Sequence, residues 1–252
     1  MTKFLTLECI PKDINKCTKK LNEALETGTW VQLVPKLEKR IKIPTHILPK
    51  GPGVVISSGG SSSIPHHCLL PSSHLNQSAT ATAHWLRQQG LKTEHSLIFN
   101  PLPFHHLSGL MPWWRSQLWG AEHIWLMPEL MRDPIALELF SKSLFEEKTG
   151  PRLISLVPTQ IQRLISHPSG LRWLQCFDVI WVGGAPIPAD LATNARQGKL
   201  RLAPCYGATE TAAMVTALAP KAFLSGAKNC GNPLGDVELR LNEIGKLEIK
   251  TQ

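Results

Sequence analysis

Short apolar runs alternate with longer amphipathic stretches over residues 54–182, and this alternation constrains the fold more than any other feature. The apolar runs predict strands at 54–57, 97–99, 123–127, 153–156 and 178–182. The amphipathic stretches predict helices at 73–89 (ending at Gly90), 110–119, 134–147 and 158–166. Strand–helix alternation is typical of a largely parallel sheet covered by helices, so we expect an α/β fold.

The two ends of the chain depart from this alternation. Residues 1–50 are basic and predict one or two amphipathic helices, for example over 14–25, before a stretch punctuated by prolines. Residues 237–249 alternate apolar and polar side chains around a turn at 242–245, which is typical of a hairpin. The sequence therefore predicts a basic helical region over 1–50, an α/β core over 51–235 and the start of a β subdomain over 236–252.

Composition narrows the class of protein. A chain of 252 residues can bury a sizeable core, and no apolar run reaches the about 20 residues that cross a bilayer. The start of the chain does not resemble a secretory signal, and the six scattered cysteines fit free thiols in a reducing compartment. These features predict no membrane span and a cytoplasmic location.

The formal net charge of +8 has two interpretations. A basic chain can bind nucleic acid, and such binding would depend steeply on salt. However, the lysines and arginines are densest in the N-terminal fifth, and no recognised nucleic-acid module is present. A positive field equally favours ATP, CoA and dianionic substrates. We therefore expect no nucleic-acid partner.

A loop rich in glycine and serine follows the first predicted strand of the core. It consists of Ser58, Gly59, Gly60, Ser61, Ser62 and Ser63. Backbone N–H groups and hydroxyls in such a loop can converge on one anion, as in phosphate-binding nests, although no Gly-Lys-Ser/Thr of a Walker loop ends it. A flexible linker has the same composition, so both interpretations stay open on mechanism alone.

Further along, a hydroxyl and a carboxylate stand side by side. Residues 205–211 read Cys-Tyr-Gly-Ala-Thr-Glu-Thr, which predicts a tight turn leading into a short polar element. Thr209 can hydrogen-bond a phosphate oxygen, and Glu210 can bind Mg²⁺, which prefers oxygen ligands. Tyr206, the only tyrosine in the chain, can cover a nucleobase with its ring. The alternative is an ordinary helix start capped by Thr209.

Histidine and tryptophan clusters invite functional interpretations that the sequence does not favour. Adjacent residues on an extended chain point to opposite sides, so neither the histidine pair at 66–67 nor the pair at 105–106 is expected to hold a metal. The tryptophans at 113, 114, 119 and 125 are expected in the core. A role for one of their faces in lining an aromatic-acid pocket is the alternative.

Five motifs follow one another in a characteristic order. They are the strand and loop at 54–63, Leu-Pro-x-x-His-x-x-Gly at 102–109, Val-Pro-Thr at 157–159, Gly-Gly-Ala-Pro at 183–186 and Tyr-Gly-x-Thr-Glu at 206–210. In this order they resemble the large N-terminal domain of the acyl-adenylate-forming (AMP-binding) enzymes, from about residue 50 onward. His-Leu-Ser-Gly at 106–109, Trp-Trp-Arg at 113–115 and Gly-Ala at 120–121 are most similar to the o-succinylbenzoate–CoA ligase branch of menaquinone and phylloquinone biosynthesis.

The resemblance implies ATP, Mg²⁺ and CoA, together with a small carboxylic acid as substrate. It places the ATP phosphates at the 58–63 loop and at Thr209, and it places the metal at Glu210. It places adenine between Tyr206 and the segment formed by Gly184, Ala185 and Pro186, with Gly207 beside the nucleotide. His106, Thr209 and Glu210 are the catalytic residues that it implies.

The acid is expected beside His106, Ser108, Gly109 and Gly207. Arg115 is the candidate for the substrate carboxylate that is not activated, because a guanidinium offers a bidentate fork to a carboxylate. The alternative for Arg115 is a surface arginine beside a buried aromatic helix. A different aryl- or acyl-CoA ligase, or a remnant that binds ATP and acid without turnover, remain the alternatives for the whole chain.

Two departures from the family pattern stand out. His66 occupies the place of a lysine in the phosphate loop, so a titratable group replaces a fixed charge. The chain also stops at Gln252, before the family's ribose-binding Asp, hinge and small C-terminal domain. We therefore expect a homodimer or a separate chain as a possible source of that domain, and weak binding without ordinary thioester formation by these 252 residues.

Overall fold

The computed structural model describes residues 3–36, 43–58 and 66–251. The strands are β1 (Phe4–Glu8), β2 (Trp30–Val34), β3 (Gly53–Ser57), β4 (His67–Pro71), β5 (Leu97–Asn100), β6 (Glu122–Trp125), β7 (Arg152–Leu156), β8 (Val179–Val182), β9 (Leu202–Ala208), β10 (Ala213–Ala217), β11 (Asn232–Pro233), β12 (Glu238–Leu241) and β13 (Leu247–Lys250). The helices are α1 (Ile14–Glu26), α2 (Ser72–Gln88), α3 (Leu107–Trp119), α4 (Pro134–Glu147), α5 (Pro158–Ile165), α6 (Pro168–Gln175), α7 (Ala189–Gln197) and α8 (Pro220–Leu224). Single 3-10 turns occur at Pro11–Asp13, Thr45–Ile47 and Leu130–Arg132.

The larger sheet has seven strands in the order β11-β10-β9-β8-β7-β5-β6. The five strands from β9 to β6 are mutually parallel, whereas β10 and β11 extend the sheet in antiparallel fashion. The chain passes from β5 to β6 on one side and returns to β7 on the other side of β5. Open α/β sheets bind ligands at the carboxyl ends of the strands beside such a reversal, which directs attention to the ends of β5 and β7.

Side chains on both faces of the central strands are buried, which explains their continuous apolar runs. Ile98 and Val179 face a core shared with α2 and α3. Phe99 and Ile180, one residue further on, face the largest core, which α4, α5, α6 and α7 cover. The prediction of a largely parallel sheet flanked by helices is therefore confirmed.

The smaller sheet corrects the prediction for the N-terminal region. It has four strands in the order β1-β2-β3-β4, with β1, β2 and β3 parallel and β4 antiparallel. The predicted helix is present as α1, but residues 1–50 are not purely helical, because β1 and β2 flank it. The pairing of β2 with β3 also continues one sheet across residue 50, where the sequence had suggested a boundary.

Two further predictions can be compared with the structure. The hairpin near the end of the chain is present, with β12 and β13 paired in antiparallel register. The tight turn predicted over 205–211 is displaced: residues 205–208 continue β9, and the turn follows at 209–212, where Ala212 has a φ of 53°. Among the described residues, none of the helices combines the length and apolar character needed to cross a membrane.

Candidate active site

The carboxyl ends of β5, β7, β8 and β9 meet at one edge of the larger sheet, because these strands are parallel and adjacent. The loops after them surround a cavity of about 350 Å³. Six residues of the predicted site line this cavity: His106, Ser108, Arg115, Gly184, Gly207 and Thr209. These residues come from segments up to about a hundred positions apart in the chain. The fold therefore brings residues of three of the predicted motifs, and Arg115, to one cavity.

Other predicted residues do not line this cavity in the described part of the chain. Ala185, Pro186 and Tyr206 are exposed next to lining residues in the chain, with Tyr206 44% exposed. Gly109 is buried behind the wall, in the first turn of α3. Ser58 is half-buried, and its N–H donates to the carbonyl of His66 at 2.7 Å. The remaining loop residues Gly59, Gly60, Ser61, Ser62 and Ser63 lie outside the described residues.

Arg115 is the most unusual group in the wall. It is only 4% exposed, and its Nε has no hydrogen-bond partner. No carboxylate in the described part of the chain lies within ion-pair distance of it. Burial lowers the pKa of the guanidinium to about 10, so it remains charged at neutral pH. A buried cation without an anion is costly, and an anionic ligand would offset that cost.

The turn after β9 separates Thr209 from its neighbour Glu210. The Thr211 hydroxyl braces this turn, because it accepts from the Ala208 N–H at 3.0 Å and donates to the Ala213 carbonyl at 2.8 Å. Thr209 lines the main cavity, whereas the exposed Glu210 lines an adjoining groove of about 300 Å³ that shares Met214 with it. One carboxylate at the edge suits Mg²⁺, which keeps several water or phosphate ligands.

The loop that presents His106 and Ser108 is anchored by Asn100, which is fully buried at the end of β5. The Asn100 amide nitrogen donates to the Gly109 carbonyl at 2.8 Å, and its oxygen accepts from the Leu102 N–H at 3.2 Å. The second amide hydrogen points to Nε2 of His123, 3.0 Å away. Because an amide nitrogen only donates, Nε2 must accept, and His123 must be neutral.

This arrangement predicts a pH effect on stability. Burial lowers the pKa of His123 from 6.5 to about 4, whereas the unfolded chain is protonated near the ordinary value. The stability that the neutral ring confers is therefore complete above about pH 6.5 and is lost as the pH falls toward 4. His123→Gln retains an acceptor but does not titrate, so we expect a shallower loss of stability than in the parent, measured by urea unfolding at several pH values. Equal pH profiles would contradict this assignment.

Position 109 requires glycine, because the start of α3 approaches the backbone of Pro103 closely. A Cβ at this position would lie 2.1 Å from the Pro103 carbonyl oxygen. We expect Gly109→Ala to destabilise the protein by about 1–3 kcal/mol and to displace the loop that carries His106. The matched control is Gly120→Ala at the end of the same helix, where φ is 65° but the space is open. It should cost about 1–2 kcal/mol in thermal unfolding without changing ligand affinity at the cavity.

Sequence reasoning missed several residues at this site. Trp181 and Ser155 line the cavity from β8 and β7, and Cys205 lines it from β9 with a thiol whose pKa burial raises to about 12. Asn100 and His123 support it from behind. Only Cys205 carried a signal, since it directly precedes the Tyr-Gly motif. The tryptophans at 113, 114 and 119 are buried in the core, as expected.

Comparison with known proteins identifies the family. The AMP-binding enzyme family matches residues 20–250. The chain belongs to the AMP-binding enzyme family. A 2-succinylbenzoate–CoA ligase from Oceanobacillus iheyensis is 27% identical over 157 residues, which cover 60% of this chain and 31% of that protein. The enzyme of the same name from Escherichia coli is 30% identical over 172 residues, covering 66% and 34%. The chain thus aligns with about a third of the length of these relatives.

Solved structures share the fold. The o-succinylbenzoate CoA synthetase of Bacillus subtilis in complex with its acyl-adenylate intermediate has a TM-score of 0.69 at 16% identity, covering 98% of this chain and 72% of that one. The same synthetase in complex with ATP and magnesium has a TM-score of 0.67 at 17% identity, covering 98% and 57%. A malonyl-CoA ligase product complex also matches, with a TM-score of 0.67 at 17% identity, covering 98% and 62%.

Proposed function

We propose that this chain is the ATP- and acid-binding part of a ligase that converts 2-succinylbenzoate to its acyl adenylate and then to its CoA thioester. The observation that carries this proposal is Arg115, a buried and charged guanidinium without a carboxylate partner among the described residues, in the wall of the cavity. A dicarboxylic acid can offer one carboxylate to this cation and the other to ATP. The names of the sequence relatives support the same substrate.

The first step joins the acid to the nucleotide. One carboxylate oxygen attacks the α-phosphorus of ATP, a new P–O bond forms, and pyrophosphate leaves. The residues must bring two anions together and stabilise the charge on the phosphoryl oxygens. Thr209 would donate to the α-phosphate, and the glycine- and serine-rich loop at 58–63, most of which lies outside the described residues, is assigned to the outer phosphates on its sequence alone. Ala185, Pro186 and Tyr206 are exposed and adjoin lining residues Gly184 and Gly207 in the chain, so we propose them for adenine.

The second step transfers the acyl group. The CoA thiolate attacks the acyl carbon, the carbon–oxygen bond to phosphate breaks, and AMP leaves. His106 and Ser108 line the cavity where the acyl carbon would lie, and they are anchored through Asn100. Glu210 would hold Mg²⁺ at the edge of the neighbouring groove, where the metal neutralises phosphate charge.

The domain and location assignments follow from this proposal. We include the N-terminal strands in the AMP-binding core, because β2 pairs with β3 across residue 50 and the family match spans residues 20–250. The strands β12 and β13 form a hairpin after this core. A ligase that uses ATP and CoA is expected in the cytoplasm. The second candidate function is a CoA ligase for another acid, because the malonyl-CoA ligase structure matches the same fold.

Calorimetry distinguishes the two candidates. The chain is titrated with 2-succinylbenzoate, with 4-oxo-4-phenylbutanoate, which lacks the ring carboxylate, and with 2-butanoylbenzoate, which lacks the side-chain carboxylate. We expect the dicarboxylate to bind at least about tenfold more tightly than one of the two monocarboxylates, because a desolvated charge pair is lost. Equal affinity for all three acids would favour a ligase for a different acid.

A further inference from the structure

Trp181 lies directly against the cation in the cavity wall. It is 2% exposed on β8, and the carbon at the centre of the Arg115 guanidinium lies 5.3 Å from the centroid of its ring. Both residues line the cavity. The face of an indole carries negative charge density, so it attracts a cation above it. Tryptophan offers the strongest attraction of this kind among the aromatic residues.

Tryptophan at position 181 buries a polar N–H group, which costs free energy that a purely apolar side chain would avoid. Its indole nitrogen is buried and has no hydrogen-bond partner among the described residues. Trp125 has the same unpaired indole nitrogen, whereas Trp173 donates to the Ser141 hydroxyl at 2.8 Å and Trp30 donates to the Pro49 carbonyl at 3.1 Å. A phenylalanine at 181 would fill much of the same space without an unpaired N–H. What tryptophan adds here is the stronger aromatic face.

The Trp181 ring is a contact of the Arg115 guanidinium that requires no anion. Its guanidinium lacks an ion pair in the described part of the chain, and the nearby Cys205 thiol is protonated, because burial raises its pKa to about 12. A half-buried arginine elsewhere in the fold shows the contrast. Arg196 also stacks on a ring, that of Phe223 at 4.4 Å, but it donates to the carbonyls of Phe223 and Ala227 as well.

We propose that Trp181 is a positioning residue that holds the Arg115 guanidinium for the second carboxylate of the substrate and so sets the preference for dicarboxylic over monocarboxylic acids. This inference rests on the proposed function for the identity of the acid. The Nε of the guanidinium has no hydrogen-bond partner among the described residues, so it is available to donate to a carboxylate while the cation lies over the ring. The preference for a dicarboxylic acid then comes from a positive charge that is preorganised in the free protein.

The first test measures that preference in variants of position 181. The ratio of affinities for 2-succinylbenzoate and for the weaker-binding monocarboxylate is determined by calorimetry. We expect Trp181→Phe, which keeps a ring, to lower the ratio about threefold, and Trp181→Leu to lower it about tenfold. Affinity for the monocarboxylate itself should change little. A ratio that stays at the parent value in Trp181→Leu would overturn the inference.

The matched control is Trp85→Phe. Trp85 packs against Trp181, with ring centroids 6.1 Å apart, and its indole nitrogen donates to the Ala217 carbonyl at 3.2 Å. Its loss perturbs the same core without touching the cation. We expect a lower thermal midpoint and an unchanged ratio. If Trp85→Phe lowers the ratio as much as Trp181→Phe, general loosening of the core explains the effect and the inference is wrong.

A second test needs no substrate. Urea unfolding of Arg115→Leu, Trp181→Phe and the double variant forms a double-mutant cycle. We expect the unfolding equilibrium constant of the double variant to deviate about fivefold from the product of the single effects, because the pair interacts only when both members are present. Independent effects would overturn the positioning role. If the parent does not prefer the dicarboxylate, the proposed function fails, and the cycle then decides the positioning role alone.

Discussion

Replacing Arg115 by leucine should make the protein more stable while it weakens the binding of 2-succinylbenzoate. The free protein buries this cation without a carboxylate partner in its described part, and the shorter, apolar leucine side chain removes that cost. We expect a gain of roughly 1–2 kcal/mol, or a thermal midpoint raised by about 2–4 °C for each kcal/mol in a chain of this size. The affinity for the dicarboxylate should fall by about 30-fold or more, since a loss of about 2 kcal/mol or more is typical for a desolvated charge pair.

Arg196→Leu is the matched control for this variant. Arg196 also stacks on a ring, but it donates to two backbone carbonyls and does not line the cavity. Its loss should lower the thermal midpoint and leave acid binding unchanged. The opposite pattern for Arg115→Leu, with lower stability and unchanged acid affinity, would assign Arg115 a purely structural role.

Glu210→Gln should remove the magnesium-dependent part of ATP binding. The side chain is exposed at the edge of a groove, so the substitution removes a carboxylate ligand without opening the core. We expect the parent to bind ATP more tightly with Mg²⁺ than with a chelator, and the variant to bind equally under both conditions. In any form of the protein that turns over, acid-dependent pyrophosphate release should fall by about 100-fold or more.

Glu129→Gln provides the comparison for Glu210→Gln. Glu129 is also exposed, but it lies outside the cavity and the adjoining groove. It should retain the full response to magnesium and an unchanged thermal midpoint. A Glu210→Gln variant that still binds ATP more tightly with Mg²⁺ would show that the metal is held elsewhere.

The sequence predicted the central sheet well because its strands are buried on both faces. Residues such as Ile98 and Phe99 face two different cores, so the strand is apolar throughout and stands out from the helices beside it. The N-terminal strands were missed for a different reason. Gln32 lies within β2 and is nearly fully buried, and β1 alternates exposed and covered residues, so neither run looked like a buried strand.

Part of the candidate site could be predicted from the sequence. Thr209, Gly184 and His106 lie in short motifs that each had an ordinary alternative and that indicated a site only through their order along the chain. Trp181 and Asn100 could not be predicted, because each lies in an apolar strand. Trp181 contacts a residue that is remote in the chain, and Asn100 holds the loop that follows its own strand. Trp181 meets Arg115 across 66 positions, a pairing that only the packing of α3 on the sheet establishes.

A crystal structure of the chain with a non-hydrolysable analogue of 2-succinylbenzoyl adenylate tests the central claim most directly. We expect the adenine beside Tyr206 and Ala185, the phosphoryl group within hydrogen-bonding distance of Thr209, and the free carboxylate on Arg115 above the Trp181 ring. An adenylate bound in this cavity with its free carboxylate in solvent, and Arg115 still without an anion, would contradict the proposed substrate.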